Sequence, residues 1–539
     1  MRANAVRALA ALAAAVAVAV LVAAVGPAWA RGPAAGLAGL FVDGRPRPAV
    51  AVSLAVILLM LARGLAGGRR LAHRLLVALV LAGLVARVLT GPGLAGLVGY
   101  RSVRWVVGLA VLGALLAVRG DPPVRPHPRR LRAAARLALA GLVLAVAHGG
   151  WLVGVAGDSP ARSTRVALAP TGTGGVLGLL AIVALAVALA PLPAPAPGTA
   201  TERARVLALA AHPDADSLAP FATRADKSYV FSPDGRSAIG YRVLCGTALV
   251  GGDPVGEKRS AGTAIAAFLD TCRRNGWRPA VLGASAPMAD RWREQGLGRR
   301  VVVGDEAVLD IATFTLQSRR MRNVRQAVQR THNAGVTVHI GQPGPAQLSR
   351  LEPVLRDWLH GRPERGFAMN LDRVLDPRPD CVVAVARDES GAPQGFARFA
   401  SCAAGRVLTL DVAPRRANAP NGVVERLIVD VVEYGLGRGV TEVSLNFAGF
   451  RGVYAGSRLA ARTAATLPHL LDGWIKLGPL YRFTAKFHPR WRPRSVLMRS
   501  WLDLGWVGAA ALRAEFGRAR PAGPAAHRWL PVPAPEAPG

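Results

Sequence analysis

The chain has 539 residues and a formal net charge of +34, and its composition changes so sharply near residue 200 that one structural class cannot describe all of it. Its four cysteines all lie after that point and include no CxxC pair, so neither a zinc site nor a disulfide framework is indicated. The excess of arginine favours a polyanionic partner, either anionic lipid or nucleic acid.

Residues 1–192 are predicted to form an all-α transmembrane bundle of about six helices. Apolar stretches recur at close to the length of about 20 residues that a helix needs to cross a bilayer. These stretches lie at 5–27, 48–63, 72–90, 103–118, 134–156 and 172–191. The first also resembles a cleaved signal peptide, because Arg2 and Arg7 precede its apolar core and Ala28-Trp29-Ala30 imitates a cleavage site. We favour a membrane span, because five further apolar stretches follow it.

Arginine collects in the second and fourth loops between these stretches, which indicates that the even-numbered loops are cytoplasmic. With six spans, everything after residue 192 is then cytoplasmic too. Residues 193–200 form a proline-rich linker. The chain is therefore predicted to be a multi-pass protein of the cell membrane with a cytoplasmic C-terminal domain. Cleavage of the first segment and the oligomeric state are left open.

From residue 201 onward, helical and strand patterns alternate, as in α/β proteins. The pattern predicts two similar units of acyltransferase size in tandem, at 201–317 and 336–517. A Pro/Ala-rich tail at 518–539 is predicted to be disordered.

A strongly basic helix is predicted between the two units, at 318–335. Met321, Val324 and Val328 recur at helical spacing and form an apolar stripe, while arginines occupy the other faces with no acid among them. A solvated charged face is one interpretation. Because uncompensated cations repel one another, binding of a polyanion is the other, and we assign tRNA or membrane binding to Arg319, Arg322 and Arg325.

Seven strings in this half occur in the order found in a known family, and KFHPRWRPR is the most specific part of them. They are DKSYVFS (226–232), GGDPVG (251–256), GDEAVLDIATFTL (304–316), RNVRQAVQR (322–330), LTLDVAPRRANAPNG (408–422), SLNFAG (444–449) and LYRFTAKFHPRWRPR (480–494). Together they resemble the C-terminal synthase domain of the lysylphosphatidylglycerol synthases, the multiple peptide resistance factors, over about 202–500. The resemblance implies that this half is an α/β tandem GNAT-like acyltransferase domain, with the active site in the second unit. With the apolar stretches, the expected fold class is an N-terminal all-α transmembrane bundle followed by that domain.

The resemblance also implies an activity: transfer of a lysyl group from aminoacyl-tRNA to the glycerol hydroxyl of phosphatidylglycerol. The product is a cationic lipid that lowers the negative charge of the membrane and resists cationic antimicrobial peptides. The implied partners are lysyl-tRNA, phosphatidylglycerol and the lipid bilayer. No cofactor is expected, because most of the glycines that would bind the pyrophosphate of acetyl-CoA are absent from the loop at 415–422, and Pro420 removes a donor. Another aminoacyl-tRNA or acceptor, and a lipid flippase, are the alternatives.

Two residues in the matched strings are expected to be catalytic. Asp411, at the end of a predicted strand, suits a base or an ammonium-binding carboxylate, although such an aspartate also caps loops. Lys486 suits a phosphate or a developing oxyanion. It is one of few lysines in an arginine-rich chain, where arginine would have supplied mere charge, and this favours a function over surface solvation.

A further set of residues is expected to bind substrate. The set is Asn421, Glu425, Arg415, Arg416, Trp491 and Arg494. Glu425 suits recognition of the amino-acid side chain, although an acid at a helix start is also stabilised by the helix dipole. Trp491 lies in a basic aromatic segment suited to phosphate or the membrane interface, although it suits a core as well. The family usually has arginine three residues after the strand aspartate; Pro414 stands there, which leaves the role of the two following arginines open.

Overall fold

The structure, a computed structural model, describes most of the chain. The described residues are 2–25, 48–90, 100–118, 124, 126–154, 176–364, 370–449 and 477–517. The cleavage-like site at 28–30 and the tail at 518–539 lie outside them. Contacts divide the chain into a helical unit, Met1–Leu192 with Thr271–Trp277, and an α/β unit, Pro193–Asp270 with Arg278–Gly539.

The helical unit consists of runs rich in alanine, leucine and valine, and each of the six predicted apolar stretches overlaps a helix. The helices are α1 (Arg2–Val25), α2 (Pro48–Ala66), α3 (Arg70–Thr90), α4 (Tyr100–Ala117), α5 (Pro128–Gly154) and α6 (Val176–Ala188). Among the described residues, α2 alone is both long and apolar enough to cross a membrane. Shorter apolar segments lie at Ala8–Val22, Val106–Ala117 and Val176–Ala188. The six-span topology therefore stays a prediction.

The α/β unit alternates helices with strands. Its helices are α7 (Ala200–Ala210), α8 (Ala261–Asn275), α9 (Ala286–Glu294), α10 (Arg322–Asn333), α11 (Pro345–Ser349), α12 (Glu352–Leu359), α13 (Val423–Leu436), α14 (Leu477–Ala485) and α15 (Leu504–Phe516). Its strands are β1 (Ser228–Phe231), β2 (Ser237–Leu244), β3 (Thr247–Gly251), β4 (Val255–Gly256), β5 (Arg278–Ser285), β6 (Arg299–Asp310), β7 (Thr337–Gly341), β8 (Cys381–Arg387), β9 (Pro393–Cys402), β10 (Val407–Val412), β11 (Glu442–Gly449) and β12 (Arg490–Met498).

All twelve strands belong to one sheet, in the order β1-β2-β3-β5-β12-β6-β11-β10-β9-β8-β7, with β4 paired to β2. The last strand in the chain, β12, lies between β5 and β6 and is antiparallel to both. Strand β6 in turn pairs with β11 of the second half. The strands β12, β6 and β11 therefore join the two halves into one continuous sheet.

The two faces of the central sheet differ in chemistry because side chains alternate along each strand. One face, which we call the apolar face, packs Leu309, Phe399 and Val443 against α10 and α13. The opposite face, which we call the polar face, carries buried charged side chains, among them Glu306 and Asp411. Burial of charge on this scale requires ion pairs, since an unpaired buried charge is very costly.

Candidate active site

The parallel strands β10 and β11 separate before they end. They pair only from Val407 opposite Glu442 to Thr409 opposite Ser444, after which β11 continues its pairing with β6. Asn446 stands at the separation with a φ of 70°, and its Nδ2 donates a hydrogen bond of 2.9 Å to the carbonyl of Leu410. Ligands of open α/β sheets bind at the carboxyl ends of parallel strands, so this opening is a candidate site.

Helix α13 begins at this opening. Gly422 precedes it with a φ of 106°, and a Cβ there would lie 2.3 Å from the backbone oxygen of Ala327 in α10. Only glycine fits this close approach, which places the basic helix beside the first turn of α13. Asn421 is exposed just before that turn, and Glu425 lies within it.

The structure brings two of the predicted residues into contact. Nζ of Lys486, in the turn after α14, lies 3.0 Å from Oε1 of Glu425, 61 residues earlier in the chain. The lysine side chain is 43% exposed and the glutamate side chain 13% exposed. Two residues further on, Nε2 of His488 lies 3.2 Å from the carbonyl oxygen of Arg320. Lys486, the start of α13 and the basic segment therefore meet in one place.

The basic segment is a short 3-10 turn, Arg319–Met321, followed by α10. The predicted apolar stripe is buried: Met321 is 5%, Val324 0% and Val328 9% exposed. Arg319 and Arg322 are exposed, so their charges are available to a partner in solution. Arg325 is half-buried and donates hydrogen bonds to the carbonyls of Leu316 and Ser318, which ties the helix to the segment before it.

Asp411 lies on the polar face and is closed off from solvent. Its Oδ2 accepts a hydrogen bond of 2.7 Å from Nε of Arg398, and its Oδ1 accepts one of 2.7 Å from the backbone N–H of Leu371. The two side chains of the ion pair are 1% and 0% exposed. Arg398 also donates to the carbonyls of Arg373 and Val374. The pair therefore fastens the segment before β8 to β9 and β10.

Arg494 belongs to a second buried network on the polar face. Its Nε donates to Oε2 of Glu306 at 3.1 Å, and its Nη2 donates to Oδ2 of Asp216 and Oγ of Ser217, both at 3.0 Å. Burial alone would lower the pKa of Arg494, but the two carboxylates outweigh burial and raise it. Burial alone would raise the pKa of Glu306, but Arg494 and the neighbouring hydroxyls lower it.

The remaining predicted residues do not contact the Lys486–Glu425 pair in the interactions that the structure shows for them. Arg415 is exposed and forms a backbone bridge with Gly395, and the N–H of Arg416 donates to the carbonyl of Gln394. Trp491 is half-buried, with its ring 5.6 Å from that of Tyr481. Among the described residues, no group of three or more histidines, cysteines or acids could hold a metal ion.

Sequence reasoning missed Arg398 and Glu306, which hold the two buried networks together. Arg398 lies between apolar residues in GFARFA, and a single charge in such a run signals a buried partner. Glu306 gave a weaker signal, because Asp305 stands beside it in β6. The signal at Arg398 was present in the sequence, but it did not identify the partner.

A family profile described as "Phosphatidylglycerol lysyltransferase, C-terminal" matches residues 207–498, which include every element of this site. The chain belongs to that family. At this level the predicted resemblance and the acyltransferase class are confirmed. A similar relative is an MprF-like domain protein of Mycobacterium tuberculosis, 41% identical over 296 residues, which are 53% of this chain and 61% of the relative. Another is the lysylphosphatidylglycerol biosynthesis bifunctional protein LysX of Gordonia bronchialis, 40% identical over 315 residues, which are 56% of this chain and 28% of that protein.

Two solved structures share the fold. L-PGS from Bacillus licheniformis is 22% identical with a TM-score of 0.53, and the match covers 60% of this chain and 99% of that structure. The C-terminal domain of a putative lysylphosphatidylglycerol synthetase from Agrobacterium fabrum is 22% identical with a TM-score of 0.51. That match covers 59% of this chain and 99% of that structure. The predicted GNAT-like α/β fold is confirmed for the C-terminal part, and the N-terminal part is helical. This chain spans less than two thirds of the relatives' length, so their activities remain statements about those proteins.

Proposed function

We propose that the chain transfers a lysyl group from lysyl-tRNA to the glycerol hydroxyl of phosphatidylglycerol. The ion pair between Lys486 and Glu425 carries the proposal, because it joins the most specific family string to the first turn of α13 at the opening of the sheet, beside the basic segment. The site thus combines a carboxylate for an ammonium group with exposed cations for phosphate. Those are the charges that a lysyl ester, a tRNA and an anionic lipid require.

The reaction is a transesterification. The glycerol hydroxyl oxygen attacks the carbonyl carbon of the aminoacyl ester, a new C–O bond forms, and the bond to the tRNA ribose oxygen breaks. The proton of the lipid hydroxyl ends on that ribose oxygen. Catalysis therefore needs a path for one proton and a positive group near the oxyanion of the tetrahedral intermediate.

We assign the two members of the ion pair different tasks. Glu425, the more buried member, binds the side-chain ammonium of the lysyl group. This bond replaces the one between Glu425 and Lys486. Lys486 is then released towards the lipid phosphate or the oxyanion, which its 43% exposure allows. Exchange of one ammonium for another at Glu425 costs little, because the carboxylate keeps a cationic partner throughout.

Asp411 and Arg494 have positioning roles in this proposal. Both carboxylate oxygens of Asp411 already accept hydrogen bonds, and its side chain is 0% exposed. We therefore assign Asp411 the role of fixing the Asn370–Val374 segment, and not that of accepting a proton from the lipid. Arg494 likewise balances Glu306 and Asp216 inside the sheet. The proposed binding surface for tRNA consists of Arg319 and Arg322, with Arg415 and Arg416 at the opening.

We further propose that the α/β unit is cytoplasmic, where charged tRNA occurs, and that the lipid product makes the membrane less negative. Lipid extracts from a phosphatidylglycerol-containing host that lacks aminoacylated lipids test the function. Expression of the chain should yield a new amine-containing lipid that carries label from lysine. Label from a different amino acid would show that another aminoacyl-tRNA is the donor. Extracts with no new lipid would contradict the proposal.

A further inference from the structure

An exposed apolar patch lies on the α/β unit at the C-terminal end of the described residues. It consists of Trp501, Leu502, Leu504, Trp506 and Leu512, and we call it the tryptophan patch. Leu502 is 82% exposed, Trp501 52% and Trp506 46%. Clusters of this kind are uncommon on soluble domains and mark interaction surfaces.

Helix α15 is apolar on both sides. Val507, Ala510 and Ala514 are buried, and Val507 and Ala514 pack against the strands. The exposed positions of the helix carry Leu504, Trp506 and Leu512, with glycine, alanine and Arg513 beside them, where a solvated helix presents mostly charged residues. Its sequence, LGWVGAAALRAEF, contains one arginine and one glutamate. Packing of α15 on the sheet therefore leaves apolar side chains exposed on the unit.

Arginines lie over the rings of this patch. Cζ of Arg278 is 4.7 Å from the ring centre of Trp506, and Cζ of Arg299 is 5.9 Å from that of Trp501. Nε of Arg278 is also 3.7 Å from Oδ1 of Asp503. Tryptophan with arginine beside it is the combination that prefers the boundary between lipid headgroups and acyl chains. An apolar centre with a cationic border matches an anionic bilayer in both polarity and charge.

We propose that the tryptophan patch docks on the surface of an anionic phospholipid bilayer, with Leu502 and the two indole rings inserted at the headgroup level. The arginines beside the patch and the membrane-length helix α2 in the same chain favour lipid over a protein partner. Docking would hold the α/β unit at the surface where a lipid substrate lies. The inference concerns binding alone, so it stands or fails independently of the proposed transfer reaction.

Site-specific fluorescence on the full chain tests the proposal. Leu502→Cys in a Cys245→Ser background receives an environment-sensitive dye; the other three cysteines are buried. The matched control carries the dye at Ser390→Cys, an exposed position in the turn between β8 and β9. Both proteins are reconstituted into vesicles of phosphatidylcholine with phosphatidylglycerol, containing lipids that are spin-labelled near the headgroup.

The spin-labelled lipids should quench the dye at position 502 several-fold more than the dye at position 390, and phosphatidylglycerol should increase the difference. Equal quenching at the two positions would overturn the proposal. Self-quenching of the dye at position 502 with rising protein density, without quenching by lipid, would assign the patch to a second copy of the chain. Lipid quenching that appears only after removal of residues 518–539 would identify that tail as the partner of the tryptophan patch. Either result would also overturn bilayer docking.

Discussion

Replacement of Asp411 by asparagine separates a positioning role from a catalytic one. Asparagine keeps the size of the side chain and an oxygen for the N–H of Leu371, but it removes the charge that faces Arg398. The guanidinium is 1% exposed, so its charge cannot be compensated by water. Breaking one partner out of a buried pair costs about 3–5 kcal/mol, and we expect a loss of that size in the free energy of unfolding. Lipid aminoacylation should fall with it.

The double variant Arg398→Met with Asp411→Asn distinguishes the two roles. It removes both charges, so stability should recover largely. The asparagine still accepts from the N–H of Leu371, so if Asp411 acts by holding this segment, part of the activity should return with stability. A catalytic carboxylate would leave a stable but inactive protein. The control is Asp290→Asn, which breaks an exposed pair with Arg293 and should change the free energy of unfolding by less than about 1 kcal/mol. Denaturation followed by tryptophan fluorescence supplies the measurement, and a parental midpoint for Asp411→Asn would refute the reasoning.

Three further predictions follow from the site. Lys486→Ala should lower the rate of lipid aminoacylation by about a hundredfold or more with normal membrane insertion. The control Lys258→Ala removes an exposed lysine elsewhere and should keep the parental rate. Equal rates for the two variants would remove Lys486 from the site. Arg319→Gln with Arg322→Gln should weaken tRNA binding and reduce the slope of log affinity against log salt by about two, and an unchanged slope would make the helix a structural spacer. Burial and the neighbouring Asp216 raise the pKa of Asp253 to about 6, so between about pH 4 and 6 the folded state keeps a proton that the unfolded state releases. Stability therefore falls across that range, and the full cost remains above about pH 6. Asp253→Asn should therefore raise the free energy of unfolding at pH 7.5 but much less at pH 4.5, and an equal effect at both would contradict this assignment.

Local patterns predicted the helices and strands from 228 to 449 well, because hydrophobic periodicity reports which side of an element is buried. Residues 345–359, whose sequence pattern favours one helix, form two helices in the structure, Pro345–Ser349 and Glu352–Leu359. Pro353 favours a helix start and has no N–H for a continuous helix, which explains the break.

Strand β12 was not predicted, because RWRPR carries three arginines and a proline where a central strand normally carries apolar residues. Its stability comes from partners far away in sequence, since Arg494 finds Glu306 only after β12 inserts between β5 and β6. The contact of Lys486 with Glu425 has the same origin. Residue types and motifs could identify Lys486 and Glu425 separately, but only the order of the strands brings the two side chains together.

Transfer of labelled lysine from lysyl-tRNA into chloroform-soluble lipid, by the purified full chain in phosphatidylglycerol vesicles, tests the proposed function most directly. The proposal predicts label in a lipid that carries one added lysine, lost in Lys486→Ala and absent when phosphatidylglycerol is omitted. A folded, membrane-inserted protein that transfers no label from any aminoacyl-tRNA would contradict it.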